Sequence, residues 1–195
     1  MFKNKQLILA FIFIFMFCSF YIAAGQNCGV ERWTVKTLSD NDTLDIDFSK
    51  TYKSTVHEQV LMSAPSKKRE RLESEKIVYS IKCFIIGYKR ENNDKDIHII
   101  IEDINTDETM VIEIPSYECF DIQRTSRYNL FKNLHNWFFE NIGHPTSKFV
   151  YLKKHIAVTI TGVGYFDFVH GQKGMAQNGR EIHPVLSMKL NQKTL

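Results

Sequence analysis

Four prolines and nine glycines in 195 residues are too few for a chain dominated by turns or low-complexity tracts. With 44% apolar and 24% charged residues, collagen-like and largely disordered chains are excluded. Charge of one sign is also scarce. The formal net charge of +3 is too weak to imply a nucleic-acid or membrane-surface partner. No Ser-His-Asp elbow, P-loop, Rossmann glycine pattern or CxxC pair occurs, so these nucleophile, nucleotide and dithiol chemistries have no signature here.

What is present begins with an address. Lys3 and Lys5 precede an apolar run from Leu7 to Ala24, and Ala23-Ala24-Gly25 supplies small residues at the exit. This pattern predicts a secretory signal over residues 1–25. The rival is a transmembrane anchor, because the run sits at the lower edge of what spans a bilayer. Lipidation of Cys28 is disfavoured by the preceding Gln26 and Asn27. Cleavage after Gly25 leaves 170 residues and removes two of the 25 basic side chains, so the charge falls from +3 to +1. The expected location is the periplasm or the cell exterior, with no stable membrane span after cleavage.

Three cysteines then remain, and an oxidising compartment favours one disulfide and one leftover thiol. Cys83 alternates with Ile77, Tyr79, Ile81 and Ile85 on one strand face, which places it in the core as a small hydrophobe. Cys28 and Cys119 lie in irregular segments, so the expected bond is Cys28–Cys119.

Residues 26–76 read as an irregular, acidic extension and linker. The stretch Lys67 to Lys76 has one apolar residue in ten and reads as solvated or as a short salt-bridged helix. Regular structure begins at Ile77. Strands are expected over Ile77–Lys89, Asp96–Ile104 and Thr109–Ile114. A helix capped by Thr125 or Ser126 follows, with Leu130, Phe131, Leu134, Phe138 and Ile142 as its apolar stripe. Strands His155–Phe168 and Ile182–Leu190 flank a Gly-rich loop. The order β-β-β-α-β-β over residues 77–195 predicts a mainly β fold with one helix, an OB-fold-like five-stranded barrel. Gly162 and Gly164 fit a strand that must coil sharply.

Two segments resemble a group of small exported bacterial proteins. The first is Cys28-Gly29-Val30-Glu31-Arg32-Trp33-Thr34-Val35-Lys36-Thr37. The second runs from Val158 through Gly162-Val163-Gly164-Tyr165-Phe166-Asp167 to Gln172, and on through Asn178-Gly179-Arg180-Glu181-Ile182-His183-Pro184-Val185. The group's pattern is a CGxERWxVKT start and a GVGFFDxxHGQxGxAxNGxELHPV end. The chain departs from it mildly, at Tyr165 for Phe and Ile182 for Leu. The group also has a counterpart of Cys119 but none of Cys83, which supports the same disulfide. The resemblance implies an exported bacterial domain and carries no mechanism.

The candidate site is the polar cluster near the C-terminus: Asp167, His170, Gln172, Asn178, Glu181 and His183. His170 and His183 are the candidate metal ligands and Glu181 the candidate catalytic base, because two imidazoles and a carboxylate suit a divalent metal. Glu181 and His183 share one strand face. The plainer reading is that Asp167 and Asn178 only shape the loop. Trp33, Asp167, His170, Gln172 and Asn178 are the candidate ligand-binding residues, with Trp33 as a clamp on the fold the commoner role. Glu102, Asp103, Asp107 and Glu108 form an acidic hairpin, which suggests Ca²⁺ or simply a solvated turn.

Two functions follow as expectations. One is an exported binding module for an oligosaccharide, a protein or, less favoured by charge, a nucleic acid. The other is a metal-dependent hydrolase of nuclease or phosphodiesterase type, with a divalent metal as its cofactor.

Overall fold

The computed structural model describes residues 28–29, 31–66, 70–169 and 171–191. The predicted secretory signal and His170 lie outside the described residues. Among the described residues no helix is long and apolar enough to cross a membrane.

The chain is mainly β, as expected. Among the described residues six strands form one mixed sheet: β1 (Tyr52–Ser54), β2 (Val78–Arg90), β3 (Ile97–Asp103), β4 (Thr109–Ile114), β5 (Val150–Phe166) and β6 (Arg180–Leu190). Strands β2, β3 and β4 form an antiparallel meander. Strand β6 runs parallel to β4 through Val111↔Glu181 and Ile112↔Ile182, and antiparallel to β5. Strand β5 returns to pair with β2 from Val78↔Val163 to Tyr88↔Val150. The pairings therefore form a circuit β2–β3–β4–β6–β5–β2, with β1 added parallel to the start of β2.

Alternation explains the core. Tyr79, Ile81, Cys83 and Ile85 of β2, Ile97, Ile99 and Ile101 of β3, and Met110, Ile112 and Ile114 of β4 point to one interior, as the two-residue period of a strand requires. Cys83 is free and buried there, and burial pushes its thiol pKa up, which makes it a poor nucleophile.

Helix α4 (Tyr128–Asn141) covers one end of this core with Phe131, Leu134 and Phe138. Leu130 and Ile142 pack at its margin. It follows the short helix α3 (Phe120–Gln123). Neither expected residue caps α4: the N-cap is Arg127, without a side-chain cap. Thr125 Oγ1 instead accepts the Arg127 N–H at 3.2 Å and donates to the Ile122 carbonyl at 2.9 Å. Its hydroxyl stabilises the turn between the helices and leaves the first turn of α4 to pack on the sheet.

Glycines mark where β5 coils. Its register against β6 shifts between Thr161 and Gly162 and again between Gly162 and Gly164. A Cβ on Gly164 would stand 2.1 Å from Arg180 Nη2 and 2.6 Å from the Ser74 carbonyl. Hydrogen there lets the buried guanidinium cross β5. Arg180 Nη2 then donates to Ser74 O at 3.0 Å and Nε to Gln59 Oε1 at 2.7 Å.

The first fifty described residues are more ordered than the sequence suggests. They hold α1 (Trp33–Lys36), a 3-10 turn at Asn41–Asp45, β1, and α2 (Val56–Val60). Thr55 and Glu58 close a reciprocal capping box on α2. The charged stretch before β2 is not simply solvated, because Arg71 and Glu75 are buried. Arg71 donates twice to Asp40, at 2.9 and 2.6 Å, and also to the Val35 and Glu75 carbonyls. Leu38, Ile46, Val78 and Val163 form a small second core under this strap. The Cys28–Cys119 disulfide is present, as expected, and ties the strap to the segment before α3 across 91 residues.

Closing a loop of that size stabilises the fold by about 4 kcal/mol in the chain-entropy model. The paired Cys28→Ser/Cys119→Ser variant should lose roughly 2–4 kcal/mol in denaturant unfolding; a loss below about 1 kcal/mol would show that the unfolded chain gains little freedom. A second prediction concerns acid. His135 is buried on α4 and its Nε2–H donates to the Pro115 carbonyl at 3.1 Å. Burial first, and Arg90 second, lower its pKa to about 4. The unfolded chain binds this proton below about pH 6.5 and the folded chain only below about 4, so stability falls as pH drops through that window. The full effect is roughly 3 kcal/mol. The loss of unfolding free energy between pH 7 and 4.5 should be visibly smaller in His135→Gln; parallel curves would remove His135 from the acid response.

Candidate metal site in a covered polar face

The isoleucines of β3 and β4 turn inward, so the residues between them emerge on the opposite face. His98 lies between Ile97 and Ile99, and Glu113 between Ile112 and Ile114. The β3–β4 register sets His98 directly across from Glu113. On the other side of β4, the parallel register with β6 carries Glu181 beside Val111, and His183 follows two residues later with its ring against Glu113. Tyr165 of β5 pairs with Glu181. A polar row therefore crosses four neighbouring strands.

This face is buried. Asp96, His98 and His183 are 0% exposed, Glu181 1% and Glu113 4%. The N-terminal strap and the β5–β6 connection cover it. Gly174 of that connection lies so close over Ile100 that an added Cβ would come within 2.4 Å of its side chain. Arg32, just before α1, grips Glu75 with both Nη atoms at 2.8 and 2.7 Å and stacks over the Tyr165 ring at 4.7 Å. Glu75 Oε1 also accepts the Phe166 N–H at 2.8 Å. At the end of α1, Lys36 sends its Nζ into the enclosure, 3.9 Å from Asp167 Oδ2 and 5.6 Å from the Tyr165 ring centre.

Glu113 is central. Its Oε1 accepts a hydrogen bond at 2.8 Å from His98 Nδ1, and its Oε2 lies 3.0 Å from His183 Nδ1. His183 Nε2 faces Asp96 Oδ2 at 3.4 Å, while Asp96 Oδ1 accepts the Ser116 N–H at 2.8 Å. Glu91 Oε1 is 3.4 Å from His98 Nδ1 and 2.7 Å from Lys89 Nζ. The His183 contacts are close charge contacts that miss hydrogen-bond geometry: among the described residues neither of its ring nitrogens is hydrogen-bonded, nor are Asp96 Oδ2, His98 Nε2 or either Glu181 oxygen. Buried polar atoms without partners are costly and rare.

The protonation states follow from burial and neighbours. Burial alone would lower His183, but Asp96 and Glu113 outweigh it and raise its pKa to about 9. Burial raises Asp96 to about 7 against the pull of His183. Burial acts in the same direction on Glu113, yet His183 and His98 hold it well below the usual carboxylate range. Glu181 has no such partner, so burial, then Glu113 and Asp167, drive it well above that range. Its carboxyl is biased toward the protonated form in a covered site. Burial opposes the Lys36 charge, but Glu113 and Asp167 overcome it and raise its pKa.

A cleft of about 540 Å³ opens onto this face. Glu91, Asp94, Glu113, Lys36, Asp167 and Gln172 are among the residues that line it. Of the residues expected at the site, Asp167 and Gln172 do line the cleft, and Glu181 and His183 belong to the buried row. Asn178 does not line it. Its Nδ2 donates to the Gln59 and Met62 carbonyls and its Oδ1 accepts the Arg180 N–H, which fixes the loop before β6. Trp33 packs against the main core beside Gly29. The companions of His183 are Asp96, Glu113 and His98, which the sequence reading left inside ordinary strands; their signal was a charged or imidazole side chain inside an isoleucine run. In the acidic hairpin, Asp103 accepts from the His57 and Asn105 amides, and Glu108 contacts His57 and Thr106.

Asp96, Glu113 and His183 each offer one ligand atom, all within 4.8 Å of one another. Two carboxylates and an imidazole are a ligand set for Zn²⁺ or Mn²⁺. The cover depends on Arg32, since breaking one partner of a buried pair costs about 3–5 kcal/mol. Glu75→Ala should destabilise by that order in chemical unfolding; a change below about 1 kcal/mol would show that the strap is held without the pair.

Comparison with models of known protein families, with curated proteins and with solved structures gives no match.

Proposed function

We propose that the chain is an exported OB-fold domain that binds a divalent metal ion through Asp96, Glu113 and His183, and that its ligand occupies the cleft above that ion. The observation that carries this reading is His183, a fully buried imidazole set between two carboxylates with neither nitrogen hydrogen-bonded among the described residues. A metal ion satisfies all three groups at once. Without it a proton on His183 must do the same work, and the ion and the proton compete.

The OB-fold reading draws support from the circuit of pairings and from the helix between β4 and β5. The position of the cleft agrees with it. OB-folds bind ligands over their second and third strands, between the loops joining strands one to two and four to five. Here β3 and β4 carry His98 and Glu113, and the two flanking connections carry Asp94 and Gln172. Export is supported by the Cys28–Cys119 bond, which suits an oxidising compartment. The enclosed carboxylates do not suit a bare polyanion. A ligand that reaches the site through a cation, such as a sugar with vicinal hydroxyls or a phosphoester, fits better.

One observation favours a second reading, hydrolysis of phosphodiesters. Glu181 is buried in the same enclosure as Lys36 with neither carboxylate oxygen hydrogen-bonded among the described residues, burial favours its protonated form, and a protonated carboxyl near a cation site is a proton donor for a departing alkoxide.

Thermal unfolding of the oxidised protein after EDTA treatment tests the metal. Zn²⁺ or Mn²⁺ at about a hundred times its dissociation constant should stabilise by roughly 2.7 kcal/mol and raise the midpoint by roughly 5–10 °C. The rise should vanish in His183→Ala and in Glu113→Gln, each checked for native circular dichroism. No response to any divalent ion would return the triad to a charge cluster. If the metal shift appears, turnover of bis(p-nitrophenyl) phosphate that is lost in Glu181→Gln, with metal uptake intact, separates hydrolysis from binding alone.

A further inference from the structure

We infer that the site holds two divalent cations, bridged by Glu113, rather than one. This inference rests on the metal reading above and extends it to a second ion, held by Glu91, His98 and Glu113.

The geometry of Glu113 carries it. Its two oxygens address different imidazoles on different strands: Oε1 faces His98 Nδ1 of β3 at 2.8 Å, and Oε2 faces His183 Nδ1 of β6 at 3.0 Å. Two sets of three ligand atoms result, Glu91–His98–Glu113 and Asp96–Glu113–His183, each with all its atoms within 4.8 Å. They share Glu113 and nothing else. A carboxylate at the middle of such a row is the usual bridge of a two-metal centre, in which the ions stand about 3.5–4 Å apart.

The second set also has a buried ring nitrogen without a partner among the described residues. His98 is 0% exposed and its Nε2 has no hydrogen bond. Glu91 Oε1 lies at the rim, 2.7 Å from Lys89 Nζ. Among the described residues, Glu91, Asp94, Glu113 and Asp167 line the cleft, Lys36 faces Asp167, and Lys89 pairs with Glu91 at the rim. Each set offers one nitrogen and two carboxylates, which selects Zn²⁺ or Mn²⁺ over Ca²⁺, an ion that takes six to eight oxygens. His98 also lines a smaller cavity of about 290 Å³ with Lys89, Ser147, Phe149, Gln172 and Lys173.

The test is metal stoichiometry in the full, oxidised chain. After stripping, Mn²⁺ is titrated by calorimetry and the bound metal counted by elemental analysis, with electron paramagnetic resonance as the independent readout. Two ions per chain and a spin-coupled Mn²⁺ pair are expected. His98→Ala and the milder His98→Gln should each drop to one ion, keep the thermal shift of that ion and lose the coupled signal. Glu113→Gln should weaken both steps at least tenfold. One ion per chain in wild type, unchanged in the His98 variants, overturns the second site and leaves the first standing. Two ions in wild type and still two in both His98 variants overturn the assigned ligands. No bound metal overturns this inference together with the reading it rests on.

Discussion

The pair between Arg32 and Glu75 decides how wet the polar face of the sheet is. Glu75 receives the Arg32 guanidinium on both oxygens, the Phe166 amide on one and the Leu72 amide on the other. One buried carboxylate thus joins the strap, the segment before β2 and the end of β5. Arg71 reinforces the same junction through Asp40 and two carbonyls. With the strap closed, the row His98–Glu113–His183 lies in a low-dielectric space where charges act strongly on one another. With it open, these groups would meet water, and the pKa values of Glu113 and His183 would return toward ordinary ones. The chemistry of the face is therefore a property of the strap as much as of the strands.

Register does the rest. A strand pair that slipped by one residue would send Glu113 into the apolar core and an isoleucine to the polar face. The isoleucines prevent this by filling the interior on both sides of His98 and Glu113. The glycines of β5 extend the same logic across the sheet. Gly164 leaves room for the Arg180 guanidinium to reach Gln59 and Ser74, which holds the start of β6 and with it Glu181 and His183. The apolar core and the polar row are two faces of a single alternation.

This alternation also explains what the sequence disclosed. The β-rich class, the helix stripe of Phe131, Leu134 and Phe138, and the disulfide were legible, because periodicity and elimination are local signals. Strand Thr109–Ile114 matched to the residue, whereas β5 begins at Val150 rather than His155, because a strand that is mostly exposed at its start has no apolar pattern to announce it. Half of the site was legible, in Glu181, His183 and Asp167, since they cluster in the chain. His98 and Glu113 come from other strands and Asp96 from the residue just before β3, and only the pairing of β4 with both β3 and β6 joins them. The strap misled most. Lys67 to Lys76 has the composition of a solvated linker, yet Arg71 and Glu75 are buried; composition cannot reveal that each has a dedicated partner more than thirty residues away in the chain.

A buried cluster of charges needs a reason beyond stability. Replacing a buried ion pair with well-packed apolar side chains is often neutral or stabilising, and the strap would cover an apolar face more readily than this one. The contrast with the other buried charges of the molecule is informative. Glu75, Arg71 and Arg180 are engaged by hydrogen bonds that hold the chain together. Glu181 and His183 hold nothing together through hydrogen bonds of their own. They are placed by β6, sealed by the strap and left with unused ligand atoms beside a cleft. Groups arranged in this way stabilise a fold poorly and are well placed to meet a cation that arrives from solvent.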